Sequence, residues 1–147
     1  ALVQKVAPAL GLKLMEKPIK STPDIERALA SVSKDNTDGL FVICSSLFRD
    51  PIKKMRAVAI QKRLALTGCD VPDVTEQGTL LSYRADPYRM GHRGAWYVDR
   101  ILKGTKPQDL PVEAPTYFEL VIDLKTAKLI GLTIPPNVLA RADKVIR

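Results

Sequence analysis

The sequence predicts an α/β fold, a doubly wound and mostly parallel sheet, and three observations predict it. Leu40 to Ile43 is a continuous apolar run, the pattern of a strand buried on both faces. Apolar residues recur at helical spacing on either side, as Ile25, Ala28, Leu29 and Val32, and then as Ile52, Met55 and Ala59. Short polar links separate the two kinds of segment, which is the alternation of a βα-layered domain.

Taken in order, residues 2–10 read as the end of a helix, with Gly11 in the C-terminal position that glycine favours. Residues 13–19 read as a short strand. Thr22-Pro23-Asp24 starts a helix, because Thr caps, Pro suits the first turn and Asp complements the helix dipole. Asp50-Pro51 starts the next, and Leu64-Ala65-Leu66 is the strand after it. "DVPDVTEQG" is a loop with one helical turn, and "TLLSYR" is a strand. Asp86-Pro87 opens the longest helix, with Gly91, Gly94, Ala95, Val98, Ile101 and Leu102 on its buried stripe. Glycine costs a helix about 1 kcal/mol against Ala, so two on one stripe predict close packing on a sheet. Residues 105–115 carry three prolines and form an extended connector, and Tyr117 to Ile122 is a strand. Asp123 caps a short helix ending at Gly131, and Pro135-Pro136 starts a last one with Val138, Leu139, Ala142 and Val145 inward.

The 147 residues suffice for one core or for parts of two lobes, and 46% hydrophobic with 27% charged residues is ordinary globular composition. No apolar run approaches the roughly 20 residues of a membrane span. Ala1-Leu2-Val3 lacks the basic start and cleavage pattern of a signal peptide. The net charge of +7 is scattered among Asp and Glu. The densest basic group, Lys53, Lys54, Arg56, Lys62 and Arg63, has no aromatic pair to stack bases, so it reads as a solvated helix face and nucleic acid is not an expected partner.

In an open α/β sheet, ligands bind beyond the carboxyl ends of the strands. Those ends are "CSSLF", with Ser45 and Ser46, and "TGCD", with Thr67, Cys69 and Asp70. The hydroxyls donate and accept hydrogen bonds, and the Asp70 carboxylate suits an amine. The same residues also serve as plain helix and turn caps, and that reading stands slightly ahead on sequence alone. Cys44 and Cys69 each close a strand. Two buried free thiols are favoured over a disulfide, and the spacing fits no zinc site. His92 is the only histidine and lies on the polar side of the long helix; no catalytic triad and no Gly-rich phosphate loop can be assembled. No enzyme activity and no cofactor are expected.

The motifs "ILKGTKPQDLPVE", "FELVIDLKTAK" and "GLTIPP" carry a resemblance, extended upstream by "GTLLSYRAD" and "DGLFVICSSLF". The chain resembles the C-terminal half of ABC transporter substrate-binding proteins, the group that includes tryptophan-type binding proteins. The resemblance implies the type I periplasmic-binding-protein fold, two α/β lobes joined by a hinge with a small ligand between them. Residues 1–75 are then most of the second lobe. Residues 76–114 supply a hinge strand, a helix and the linker of the first lobe, and residues 115–147 return to the second. Ser45, Ser46, Thr67, Cys69 and Asp70 are the implied cleft residues, with Ser82 and Tyr83 at the hinge and Tyr83 as an apolar wall. The implied partners are a small-molecule ligand and an ABC permease with its ATPase subunit. The implied location is periplasmic, secreted or lipid-anchored in the full-length form, with the signal peptide outside this chain. The first lobe's opening half and the second lobe's first strand are expected to precede Ala1, leaving a sheet edge that a second copy can cover. At "ICSSLF", where a proline and an acidic residue are common in the family, and at "ALTGCD", which replaces a more aromatic stretch, the chain departs from the pattern. An aromatic amino-acid ligand therefore does not follow. The alternative is a ligand-sensing regulatory domain of the same fold.

Overall fold

A computed structural model describes residues 2–147. The chain divides into two compact units, Ala1–Val32 and Ser33–Arg147.

The first unit holds helix α1 (Leu2–Val6), a 3-10 turn (Pro8–Leu10) and helix α2 (Thr22–Ser31). Gly11 ends the opening helical stretch in a left-handed conformation (φ 68°), its N–H donating to the Pro8 carbonyl. Residues 13–19, expected as a strand, form none. A strand exists only by pairing, and among the described residues none lies beside this segment, whose Leu14 and Met15 are exposed. The cap of α2 is Ser21, one residue before the expected Thr22. Asp24 organises that start: it accepts from the Ser21 hydroxyl (2.8 Å) and the Lys20 N–H (3.0 Å) and pairs with Arg27. These donors hold its carboxyl below the usual range. Ile25, Leu29 and Val32 are buried on the expected stripe.

The second unit is built on a five-stranded sheet in the order β1 (Gly39–Leu40), β2 (Ala65–Gly68), β3 (Leu81–Ala85), β4 (Phe118–Asp123), β5 (Lys144–Ile146). All neighbours are parallel except β3 and β4, which run antiparallel with Ser82 opposite Val121. Helices α3 (Ile52–Gln61), α4 (Val71–Thr75) and α6 (Leu124–Ile130) cross between strands, and α4 packs along β2, β3 and β4. This is the mixed, mostly parallel α/β layer that the sequence predicts. Val121 and Ile122 on β4 are completely buried, and Leu80, Ala127 and Ile130 form a core cluster joined by Ile60, Ala65, Leu81 and Ile134.

Buried polar groups are tied into this core. The carboxylate of Asp123, which is 5% exposed, accepts from the N–H groups of Lys125 (2.7 Å) and Thr126 (3.3 Å) and from the Thr126 hydroxyl (3.1 Å). The Gly78 carbonyl accepts from Thr126 Oγ1 (2.8 Å) and Arg56 Nε (2.9 Å), joining α3 and α6 to the turn before β3.

Three expectations change. The run Leu40 to Ile43 pairs only through Leu40, because the next inward N–H, that of Val42, donates to the Thr67 hydroxyl instead of a β2 carbonyl. Val42 is buried, whereas Phe41 and Ile43 are 65% and 68% exposed, so this segment is covered on one face only. The stripe on α5 (Pro87–Leu102) is not buried either: no α5 residue is, and a Cβ at Gly91 or Gly94 would meet nothing within 4 Å. No described part of the chain covers that face. Finally, the last segment is a four-residue helix, α7 (Pro136–Leu139), followed by a strand. The Asp143 N–H donates to the Leu120 carbonyl and its carboxylate accepts from the Leu120 N–H (2.8 Å), docking Val145 opposite Ile122 on β4.

The proline-rich connector is clamped onto α5. Arg93 makes a two-pronged pair with Glu113 (2.7 and 2.5 Å), and the Tyr97 hydroxyl donates to the Pro111 carbonyl (2.7 Å). The Arg93 guanidinium also lies 3.8 Å from the Trp96 ring centre. The pairing holds the Glu113 carboxyl below its usual range and raises Arg93. The chain thus leaves the sheet on β3, runs out along α5, folds the connector back over it, and re-enters on β4.

Candidate functional site

An open pocket of about 310 Å³ lies where β1 and β2 end, large enough for a small metabolite. Cys44, Ser45, Ser46, Phe48, Arg49 and Ile52 line one side; Cys69, Asp70 and Asp73 line the other.

Each wall has a local cause. Past Val42 the chain leaves the sheet, and Ser45 caps a 3-10 turn (Ser46–Phe48), its hydroxyl accepting from the Leu47 N–H (3.3 Å). That turn presents Phe48 and Arg49 to the pocket beside Ile52 of α3. On the other wall, Asp73 of α4 reaches back and accepts from the N–H groups of Cys69 (2.6 Å) and Asp70 (3.1 Å), which fixes the turn after β2. Gly68 permits this approach, because a Cβ there would stand 2.5 Å from Thr79 Oγ1 and 2.6 Å from Asp73 Cβ.

The charges are unequally matched. Asp70 is ion-paired with Arg84 of β3, while Asp73 faces the backbone N–H groups of Cys69 and Asp70. Arg49 is exposed in the pocket and has no ion-pair partner among the described residues. Phe48 and Ile52 supply apolar surface. The arrangement therefore offers a guanidinium, two serine hydroxyls and a half-exposed carboxylate around an apolar floor.

Of the sequence candidates, the pocket brings together Ser45, Ser46, Cys69 and Asp70, with Cys44 beside them. Thr67 is part of the framework: its hydroxyl accepts from the Val42 N–H (3.1 Å) and donates to the Leu40 carbonyl (3.5 Å). Ser82 is fully buried in the middle of the sheet, with no hydrogen-bond partner for its hydroxyl among the described residues. Tyr83 is exposed on the sheet and stacks on Phe118 of β4 with ring centres 5.3 Å apart. Sequence reasoning missed Phe48, Arg49, Ile52 and Asp73. The signal for Asp73 was its position three residues after Asp70, the spacing of a capping box.

The two cysteines are both free, and Cys44 is exposed rather than buried as expected. They line the same pocket. Burial and the neighbouring Cys44 thiol push Cys69 up to about 12.

A family model described as "ABC transporter substrate binding protein" matches residues 1–146. The chain belongs to this family. Among solved structures, a conserved domain protein from Vibrio cholerae superposes with a TM-score of 0.84 at 30% identity, over 98% of this chain and 48% of that one. An ABC domain from Streptococcus pneumonia, solved in complex with L-Trp, gives 0.79 at 24% identity over 99% and 51%. CD0873 from Clostridium difficile, a substrate-binding protein with adhesive properties in a ligand-free, open structure, gives 0.69 at 18% identity over 98% and 48%. No curated protein matches the chain. The chain spans about half the length of these solved relatives. The periplasmic-binding-protein-like architecture of an ABC substrate-binding protein is therefore the setting of the pocket. Among the described residues no helix is long and apolar enough to cross a membrane.

Proposed function

We propose that this chain forms most of one lobe and part of the hinge of a solute-binding protein for ABC import, and that it holds an amino acid or a related small molecule. The observation that carries the reading is the pocket at the strand ends in a chain of this family. Arg49 takes the carboxylate of the ligand, and Ser45 and Ser46 complete its hydrogen bonds. Asp70, steadied by Arg84, faces the amine. The L-Trp bound to the Streptococcus relative supports the amino-acid class.

In this reading residues 1–75 and 115–147 belong to the second lobe and residues 76–114 reach into the first. The antiparallel β3–β4 pair, with α5 and its clamped connector between the two strands, is the path across the hinge. Tyr83 and Phe118, stacked and exposed on that pair, form an apolar wall facing the first lobe. Closure of the lobes presents the loaded protein to a permease and its ATPase subunit, outside the cytoplasmic membrane, without catalysis. β1, the outer strand of the sheet among the described residues, offers an edge for a further strand or, in the isolated chain, a second copy.

The test is a thermal-shift screen of the complete protein against amino acids, small carboxylates and nucleotides. A ligand at a hundred times its Kd adds about 2.7 kcal/mol of stability. The expected result is a rise of several degrees with amino acids and none with nucleotides. A rise with nucleotides alone, or no rise with any class, would sink the assignment.

A further inference from the structure

We propose that Cys44 and Cys69 are an oxidation site, joined by an intramolecular disulfide that forms across the ligand pocket and reshapes its wall.

The geometry comes from the sheet. β1 and β2 are parallel, with Gly39 opposite Ala65 and Leu40 opposite Leu66. Beyond that pairing Thr67 Oγ1 still links the two segments, accepting from the Val42 N–H (3.1 Å) and donating to the Leu40 carbonyl (3.5 Å), and Cys44 and Cys69 each follow two residues after this link. Both cysteines line one pocket, and Cys44 is the neighbouring thiol that acts on Cys69.

The two sulfurs differ in access, which sets the order of events. Cys44 is exposed and Cys69 is partly buried. With a small disulfide such as oxidised glutathione as the oxidant, the Cys44 thiolate attacks one glutathione sulfur, the glutathione S–S bond breaks, and one glutathione thiolate leaves. The Cys69 sulfur then attacks Cys44 Sγ and expels the second. Two protons are released, and the two electrons lost by the cysteines reside on the glutathione pair. The raised Cys69 thiol makes this second step faster as pH rises. The product replaces two S–H groups in the pocket wall by an apolar S–S bridge and ties the Ser45 turn to the end of β2. The inference stands on the cysteine geometry and is independent of the amino-acid assignment.

The experiment treats the reduced complete protein with oxidised glutathione, quenches with acid, and reads intact mass, peptide map and Tm. The expected product is lighter by two hydrogens, yields one cross-linked peptide containing Cys44 and Cys69, and melts at a higher temperature than the reduced form. Dithiothreitol reverses both changes. Cys69→Ser stops at a glutathione adduct on Cys44, and Cys44→Ser reacts far more slowly. Accumulation of stable glutathione adducts in the unsubstituted protein, or cross-linking between chains, would overturn the proposal. So would a bridged form with unchanged Tm and unchanged access to the pocket, since the bridge would then not reshape the wall.

Discussion

Gly68→Ala is expected to destabilise the chain by about 1–3 kcal/mol, the usual cost of forcing a methyl into filled space. The added Cβ would stand 2.5 Å from Thr79 Oγ1 and 2.6 Å from Asp73 Cβ. Neither neighbour is free to retreat. Thr79 is fully buried on the approach to β3, and its own N–H donates to the Asp73 carbonyl (2.9 Å). Asp73 is anchored by its bonds to the Cys69 and Asp70 N–H groups, so moving it releases the turn that forms one pocket wall. Thermal melts of the two proteins should differ by several degrees, at roughly 2–4 °C per kcal/mol for a chain of this size class. Loss of ligand affinity should accompany the drop. Gly91→Ala on α5 is the control within this chain, since a Cβ there meets nothing within 4 Å. It should stabilise by about 0.5–1 kcal/mol, because glycine in a helix interior is the costlier residue. Equal effects at the two positions would contradict the packing described for β2 and α4.

Arg49→Ala is expected to weaken ligand binding by about 10–100-fold while leaving Tm without ligand unchanged. A hydrogen bond to a charged group contributes about 1.5–3 kcal/mol, and each 1.4 kcal/mol is about tenfold in Kd. Arg49 is exposed on the 3-10 turn after Ser45 and holds no structural ion pair among the described residues, so its removal leaves the fold intact. Arg49→Lys keeps the charge but loses the planar fork, and should fall between the two. Titration calorimetry with the amino acid found by screening reads the difference. Unchanged Kd in Arg49→Ala would remove the carboxylate contact from the account.

The parts of this fold that were legible in the sequence are those whose cause is local. Asp86-Pro87 and Asp123 announce helix starts because a cap and its acceptors sit within three residues: Asp86 accepts from the Tyr88 and Arg89 N–H groups, and Asp123 from those of Lys125 and Thr126. Gly131 stops α6 with a left-handed backbone (φ 73°), also a local matter. The misreadings concern distant partners. Residues 13–19 have strand composition without a strand to pair with among the described residues. Val145 fits a helical stripe, yet the bonds between Asp143 and Leu120, far apart in the chain, place it in β5.

The pocket divides in the same way. Ser45, Ser46, Cys69 and Asp70 were readable because strand ends are where open sheets bind ligands. Thr67 and Ser82 have the right chemistry, but strand pairing directs the first into the β1–β2 seam and buries the second. Arg49 was missed because nothing in "SLFRD" distinguishes a pocket cation from a surface one. Only the return of β2 and α4 beside that turn makes the difference. The α5 stripe was expected to be buried against a sheet, and it is exposed because no described residue packs over it.

The most direct test of a two-lobed cleft that closes on a solute is small-angle X-ray scattering of the complete protein with and without its ligand, at saturation verified by calorimetry. The account predicts a smaller radius of gyration in the saturated sample, with the Arg49→Ala variant requiring proportionately more ligand for the same compaction. Superimposable scattering from the free and saturated protein would contradict it.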